Sequence, residues 1–406
     1  MSTSAIAEPG QRSERPVDRV LTTHVGSLVR PDELVEILRA RRDGRPDYDP
    51  QRHAEVVARE VREVVRKQAE IGIDFVSDGE FGKGLAWWSY VLERLGGFEE
   101  RPWGPGGRRE PERQSKDKRD FADFYEEYNR QSRPEGYPEK GEYVCVGPIT
   151  YTGQEQLATD IANLKSAVAE VGVEGGFLPV VAPASVVPVR RDEYYASEEE
   201  FVFAVADALN VEYRTIVESG LYVQIDDAFL ATMYDSMVPP ATLREYRAWA
   251  ELRVAALNRA LEGIPSERVR YHVCWGSWNG PHTNDVPLRD IVDLILQVNA
   301  GAYALEQANP RHEHEWHVWE DVELPEGKIL LPGVVSHATN VVEHPELVAQ
   351  RIVRLARLVG RDRVIASTDC GFAQSPFLRR VHPSIQWAKL AALVEGARLA
   401  SRELWA

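Results

Sequence analysis

The chain is short of cysteine, of basic charge and of long apolar runs. It holds only three cysteines, Cys145, Cys274 and Cys370, among 406 residues. A secreted protein of this size stapled by disulfides would use more, and an odd count points to reduced thiols in a cytoplasmic setting. Lysine and arginine number 48 against 64 aspartates and glutamates, a net charge of −16. That leaves no basic footprint for nucleic acid and no surface suited to an anionic membrane. No stretch of eighteen apolar residues occurs, so nothing reads as a membrane span. The polar start, Met1 to Arg15, lacks the apolar run of a signal peptide.

Residues 1–18 mix Ser, Glu, Pro and Arg without period and read as a mobile tail. From 19 to 406 the chain reads as one domain of short apolar runs alternating with amphipathic stretches. The strand candidates are Leu21–Ser27, Ile73–Ser77, Tyr143–Gly147, Leu221–Ile225, Val269–Cys274, Ala302–Glu306, Ile329–Val335 and Arg363–Ser367. A ninth run, Phe177–Ala182, contains Pro179 and precedes Pro183, which places it in a connection. Helical periodicity marks Gln51–Ile71, Glu198–Glu218, Leu243–Leu261, Leu288–Val298, Pro345–Val359 and Ile385–Leu404. Alternation of this kind gives a parallel α/β sheet, and eight units give a (β/α)8 TIM barrel. The alternative is a doubly wound open sheet, but no Gly-x-Gly-x-x-Gly follows the first strand. A charged insertion after the second strand, Gly96–Gly141, is a candidate lid or oligomer arm, or else a plain surface excursion.

Four side chains stand out at strand ends: His272, Cys274, Glu306 and Cys370. Positions i and i+2 of a strand share a face, so His272 and Cys274 can grip one ion. Glu306 ends the next strand and Cys370 follows the last, and in a barrel all these ends converge on one rim. Two thiolates, an imidazole and a carboxylate suit zinc. The competing reading makes the cysteines and the histidine inert core residues, but Glu306 among apolar neighbours then lacks a partner. Further polar groups follow other strands: His24 and Ser27, Asp78 and Glu80, Thr150, Asp226 and Asp227, and His337. They are candidates to line a substrate pocket. The tract Arg311–Glu320, with three histidines, reads as a second metal tract or, more simply, as an exposed loop. Trp87, Trp88, Trp275 and Trp278 are candidate pocket walls.

The motifs Thr-Thr-His-Val-Gly-Ser-Leu (22–28), Ser-Asp-Gly-Glu (77–80), Val-Gly-Pro-Ile-Thr (146–150), Gln-Ile-Asp-Asp (224–227), His-Val-Cys (272–274), Leu-Glu (305–306), Val-Ser-His (335–337) and Asp-Cys-Gly (369–371) occur in that order. Together they resemble the C-terminal catalytic barrel of the cobalamin-independent methionine synthase family. The resemblance implies zinc held by His272, Cys274, Glu306 and Cys370. It implies Ser27, Glu80 and Asp226 around the amino-acid part of a homocysteine-like thiol, and His337 beside the reacting sulfur. The implied reaction is methyl or other alkyl transfer to a zinc-bound thiolate. Two features depart from the family synthase: one barrel where that enzyme has two, and Tyr151-Thr-Gly-Gln154 where it keeps a tryptophan in its folate surface. They leave the donor open among a methylated folate, a methylcorrinoid and another electrophile, as in the epoxyalkane:coenzyme M transferases. A zinc hydrolase and a non-catalytic thiol- or corrinoid-binding protein are the readings from other classes. Homo-oligomerisation is open.

Overall fold

Valines 56, 57, 61, 64 and 65 form one apolar stripe, and they are all buried on the helix Pro50–Ile71. Asp49 starts that helix by accepting the amides of Gln51 and Arg52, and Gly72 ends it in the left-handed region at φ 103°. Helices Glu198–Glu218, Leu243–Ala260, Pro345–Val359 and Pro383–Leu404 follow the same logic and lie within two residues of their expected bounds. Leu288–Val298 yields only a short helix, Val292–Leu296. The computed structural model describes residues 18–87, 89–102, 115–132 and 141–406. Residues 1–17 of the expected tail, Trp88, and the parts 103–114 and 133–140 of the insertion lie outside it.

The strands in chain order are β1 (Leu21–Thr22), β2 (Phe75–Ser77), β3 (Leu95–Arg101), β4 (Glu142–Tyr151), β5 (Gly175–Val181), β6 (Arg191–Asp192), β7 (Tyr222–Asp227), β8 (Val269–Val273), β9 (Ala302–Leu305), β10 (Ile329–Val335) and β11 (Ile365–Thr368). Eight of them form one parallel sheet in the order β1-β11-β10-β9-β8-β7-β5-β2. The sheet curls into an α/β barrel with its helices outside. Its free edges, β1 and β2, meet at Asp74. The Asp74 amide donates to the Thr22 carbonyl at 3.1 Å. Its carboxylate accepts from the Thr22 amide at 2.8 Å and hydroxyl at 3.0 Å, and from both arms of Arg19 at 2.7 and 2.8 Å. One carboxylate thus stitches the seam.

Two strand assignments need correction. Phe177–Ala182 is no connection: β5 is the third barrel strand, paired in register with β7 as Pro179↔Gln224. The proline is tolerated because of the way its nitrogen faces. Amides two apart on a strand point the same way, and the Val181 amide leaves the sheet to reach the Tyr90 hydroxyl at 3.1 Å. Pro179 faces that same side, beyond Phe177, where the ladder to β2 ends. Conversely, Tyr143–Gly147 belongs to β4, which pairs antiparallel with β3 and parallel with β6 in a separate three-stranded sheet. The insertion after the second strand therefore begins as a hairpin. Between β3 and β4 lie helices Lys116–Asp120 and Ala122–Ser132. Among the described residues no helix is long and apolar enough to cross a membrane.

The seam makes a comparative prediction. Asp74→Ala removes a buried acceptor of four hydrogen bonds and lowers stability by about 2–4 kcal/mol. Arg19→Ala removes a partner that is 46% exposed and costs under about 1 kcal/mol. Urea midpoints of the two variants measure the difference; equal shifts would remove Asp74 as the closing element.

Candidate metal centre

Inward-facing residues alternate along β8, so Arg270, His272 and Cys274 stack from the barrel interior to its rim. β8 lies between β7 and β9 with Asp226↔His272 and His272↔Ala304 in register. The His272 Nδ1 lies 3.3 Å from the Ala304 carbonyl oxygen, which accepts its proton. The other ring nitrogen, Nε2, is buried and has no hydrogen-bond partner among the described residues. The Cys274 Sγ is 3.6 Å from the Cys370 Sγ. One ligand atom from each of His272, Cys274 and Cys370 lies within 4.8 Å of the others. The Ser277 hydroxyl sits 3.2 Å from the Cys370 sulfur, and the Gly276 amide donates to the Cys274 sulfur at 3.2 Å.

The three residues fit a thiophilic dication. The hydrogen bond that the Cys274 thiol makes to Cys370 and then burial push it well above its ordinary value. Two adjacent buried sulfurs cannot both ionise unless a positive charge comes between them. The imidazole lone pair without a partner supplies a third donor, its tautomer already fixed by a backbone carbonyl as zinc-ligating histidines are.

Glu306 lies one strand over, just past β9, but outside this group of three. Its Oε1 accepts the Trp275 amide at 2.9 Å. Its Oε2 accepts from the Asn309 amide and from Arg311, both at 2.8 Å. Burial opposes its ionisation, yet the Arg311 cation outweighs it and holds the carboxyl below its usual range. His337, beyond β10, is buried with neither ring nitrogen partnered. Burial drives its pKa down to about 3, so the ring is a neutral imidazole.

The remaining candidates divide. Glu80 follows Gly79 in the left-handed region, at φ 62°. Its carbonyl accepts from Arg30 at 2.7 Å, and its Oε2 lies 3.6 Å from the Lys83 ammonium with no hydrogen bond. Asp226 accepts from Gln224 at 2.9 Å. Burial raises it to about 6 against the pull of His272 and Lys83. Ser27 fastens the Cys370 loop. Its hydroxyl accepts the Ala373 amide at 3.3 Å, and its carbonyl accepts the Phe372 amide at 2.8 Å. A Cβ on Gly371 would collide with the Ser27 hydroxyl. His24 is a satisfied core histidine, accepting from the Gly26 amide and donating to Gln68 at 2.7 Å. Thr150 is corrected: it lies on β4 of the small sheet, exposed and opposite Gly96, because its strand is not a barrel strand.

The tract Arg311–Glu320 forms neither a metal cluster nor a plain exposed loop. His312 is buried between Glu315 at 2.8 Å and Asp285 at 3.2 Å, and those contacts overcome burial to lift its pKa to about 9. Trp275 and Trp278 pack on His312 and His282. Sequence reasoning passed over Asp369. This buried carboxylate accepts the Gln307 and Ala308 amides at 2.8 Å and the Asn309 side chain at 2.9 Å. It ties the loop carrying Cys370 to the segment carrying Glu306. Its signal was its place beside Cys370 in Asp-Cys-Gly. Gln307, buried with neither amide atom partnered, was also missed.

The family model for the cobalamin-independent synthase catalytic domain matches residues 179–392. A methionine synthase of Saccharolobus islandicus is 26% identical over 391 residues, covering 94% of this chain and 95% of its own. A 2-hydroxypropyl-CoM lyase of Xanthobacter autotrophicus is 26% identical over 240 residues, and the match spans 53% of this chain and 58% of the lyase. The structure of a B12-independent methionine synthase from Shewanella sp. W3-18-1, in complex with selenomethionine, superposes with a TM-score of 0.67 at 20% identity. The superposition covers 95% of this chain and 99% of that one, so the two share a fold. With the family model spanning more than half of its length, the chain belongs to the cobalamin-independent synthase catalytic-domain family, a family of methyltransferase enzymes.

Proposed function

We propose that this protein transfers an alkyl group, in the first instance a methyl group, to the sulfur of a small amino-bearing thiol such as homocysteine. The observation that carries the reading is the buried His272 ring: its Nε2 has no hydrogen-bond partner among the described residues, and a ring nitrogen lies within 4.8 Å of two sulfurs. His272, Cys274 and Cys370 would hold a zinc ion, with Glu306 as the fourth donor. When bound there, zinc supplies the positive charge that lets a thiol lose its proton near neutral pH.

The chain's own residues do the rest. Glu80 and Asp226 are two buried carboxylates, with the Lys83 ammonium 3.6 Å from Glu80. Either carboxylate can pair with the α-ammonium of an amino-acid thiol. Ser27 holds the loop 371–373 in place and so sets the position of Cys370. His337, buried with both ring nitrogens free of hydrogen bonds among the described residues, is placed either to take the proton of the incoming thiol or to protonate the leaving group. Orientation of sulfur and electrophile within one buried rim supplies much of the rate. A hydrolase is disfavoured, since two thiolates and a carboxylate weaken Lewis acidity toward water. Thiol ligands 3.6 Å apart need a reducing compartment, which favours the cytoplasm.

The donor stays open among a methylated folate, a methylcorrinoid and another electrophile, and relatives named methionine synthase and 2-hydroxypropyl-CoM lyase are consistent with transfer of either a methyl or a larger alkyl group. A screen of thiols against donors, read by the mass of the thioether, decides between them. Cys274→Ser and Cys370→Ser are each expected to lose zinc and turnover together. Elemental content and rate measured on the same preparation check this, and full turnover by a zinc-free Cys370→Ser protein would refute the reading. Asp226→Asn is expected to raise the KM for homocysteine by roughly tenfold or more while zinc content stays at the wild-type level. An unchanged KM would remove Asp226 from the pocket.

A further inference from the structure

The Glu306 carboxylate, outside the His272–Cys274–Cys370 group, is bound by a cation that is itself tightly held. The Arg311 guanidinium donates to the Glu306 Oε2 at 2.8 Å through one arm and to the Asp285 carboxylate at 2.8 Å through the other. It also reaches the Gly276 carbonyl at 3.2 Å. Asp285 is fixed in turn by His282 at 3.0 Å and His312 at 3.2 Å. His282 carries positive φ, at 52°, and its amide donates to the Asp117 carboxylate at 3.1 Å. Asp117 further accepts the Thr283 amide and hydroxyl at 3.0 and 2.9 Å and the Tyr125 hydroxyl at 2.6 Å. The inserted segment thereby anchors the loop that presents Asp285.

We propose that Arg311 is a positioning residue that competes with the metal for the Glu306 carboxylate, making Glu306 the exchangeable ligand when a substrate thiol arrives. The proposal rests on the zinc reading above and deepens it. Among the described residues no cation donates a hydrogen bond to Cys274 or Cys370, although Arg311 lies near enough to Cys274 for their charges to interact, and His272 is tied to a backbone carbonyl. Glu306 alone of the four has a pre-formed cationic partner on its far side. A carboxylate leaving a metal in a buried rim would otherwise stand uncompensated, which is strongly unfavourable. Arg311, already locked between two carboxylates, receives it without rearranging. Both effects of removing Arg311 have definite signs. The metal-free protein loses the partner of a buried carboxylate and the cation near the metal disappears, so zinc binds more tightly. The thiol must then displace a carboxylate with nowhere to go, so the thiol binds more weakly.

The test is a double-mutant cycle read by binding. Zinc affinity is measured by competition with a chromophoric chelator, and homocysteine affinity by titration of the zinc-loaded protein. R311Q is expected to bind zinc about tenfold more tightly and homocysteine about tenfold more weakly than wild type. Both changes should vanish in an E306Q background, because the effect runs through Glu306. D285N keeps Arg311 but loosens its anchor, and it should move both affinities in the same directions by a smaller factor. It serves should R311Q fail to fold. Unchanged affinities in R311Q or, in its place, D285N, or equal changes with and without Glu306, would overturn the proposal while leaving the zinc reading intact. A wild-type chain that takes up no zinc would overturn the zinc reading itself.

Discussion

Two buried sulfurs 3.6 Å apart, facing an imidazole nitrogen with no partner, form an arrangement that a folded chain does not hold at rest without compensation. Each group is costly alone: a desolvated lone pair, and a thiol that cannot ionise beside its neighbour. A thiophilic dication resolves both at once. The rest of the rim is arranged around that need. Ser27 and Asp369 fix the loop bearing Cys370, the Ala304 carbonyl fixes the imidazole, and Arg311 and Asn309 hold the nearest carboxylate in reserve.

The barrel makes this convergence possible because register and closure are set far from the site. Pairing β7, β8 and β9 in parallel places Asp226, His272 and Ala304 at one height. β11 joins β10 at Gly333, where a side chain would collide with Asp369, so the close approach that seats Cys370 depends on glycine there. At the opposite side, the Asp74 carboxylate closes the sheet. Strands β3 and β4 of the small sheet leave the barrel between its second and third strands, and β6 joins them from the connection after the third. Through Asp117 and Tyr125, the helices it carries grip the loop that follows the metal-ligand strand. An excursion that reads in sequence as a charged loop is therefore mechanically linked to the site.

Much of this was legible in the sequence, and the failures have physical reasons. Period-3.6 valines and capping residues gave the helices because local pattern and tertiary packing agree there. Eight strands were expected and eight are in the barrel, yet two were exchanged. Pro179 argued against a strand from ladder geometry, but the direction of its nitrogen depends on which neighbour stops short, and sequence does not carry that. Tyr143–Gly147 has the composition of a buried strand, and no local signal separates a barrel strand from a hairpin arm. That exchange also misplaced Thr150. The pairing of His272 with Cys274 followed from strand alternation alone. The engagement of Glu306 with Arg311 did not, because the arginine comes from a charged tract that looked solvated. His312, in the same tract, is buried between two carboxylates.

X-ray absorption at the zinc edge tests the central claim most directly, recorded on the zinc-loaded protein before and after addition of homocysteine. The account predicts two sulfur neighbours at about 2.3 Å in the resting protein and a third when the thiol is present, with one oxygen neighbour lost. A sulfur count that stays the same in both spectra, or a resting site with fewer than two sulfurs, would contradict it.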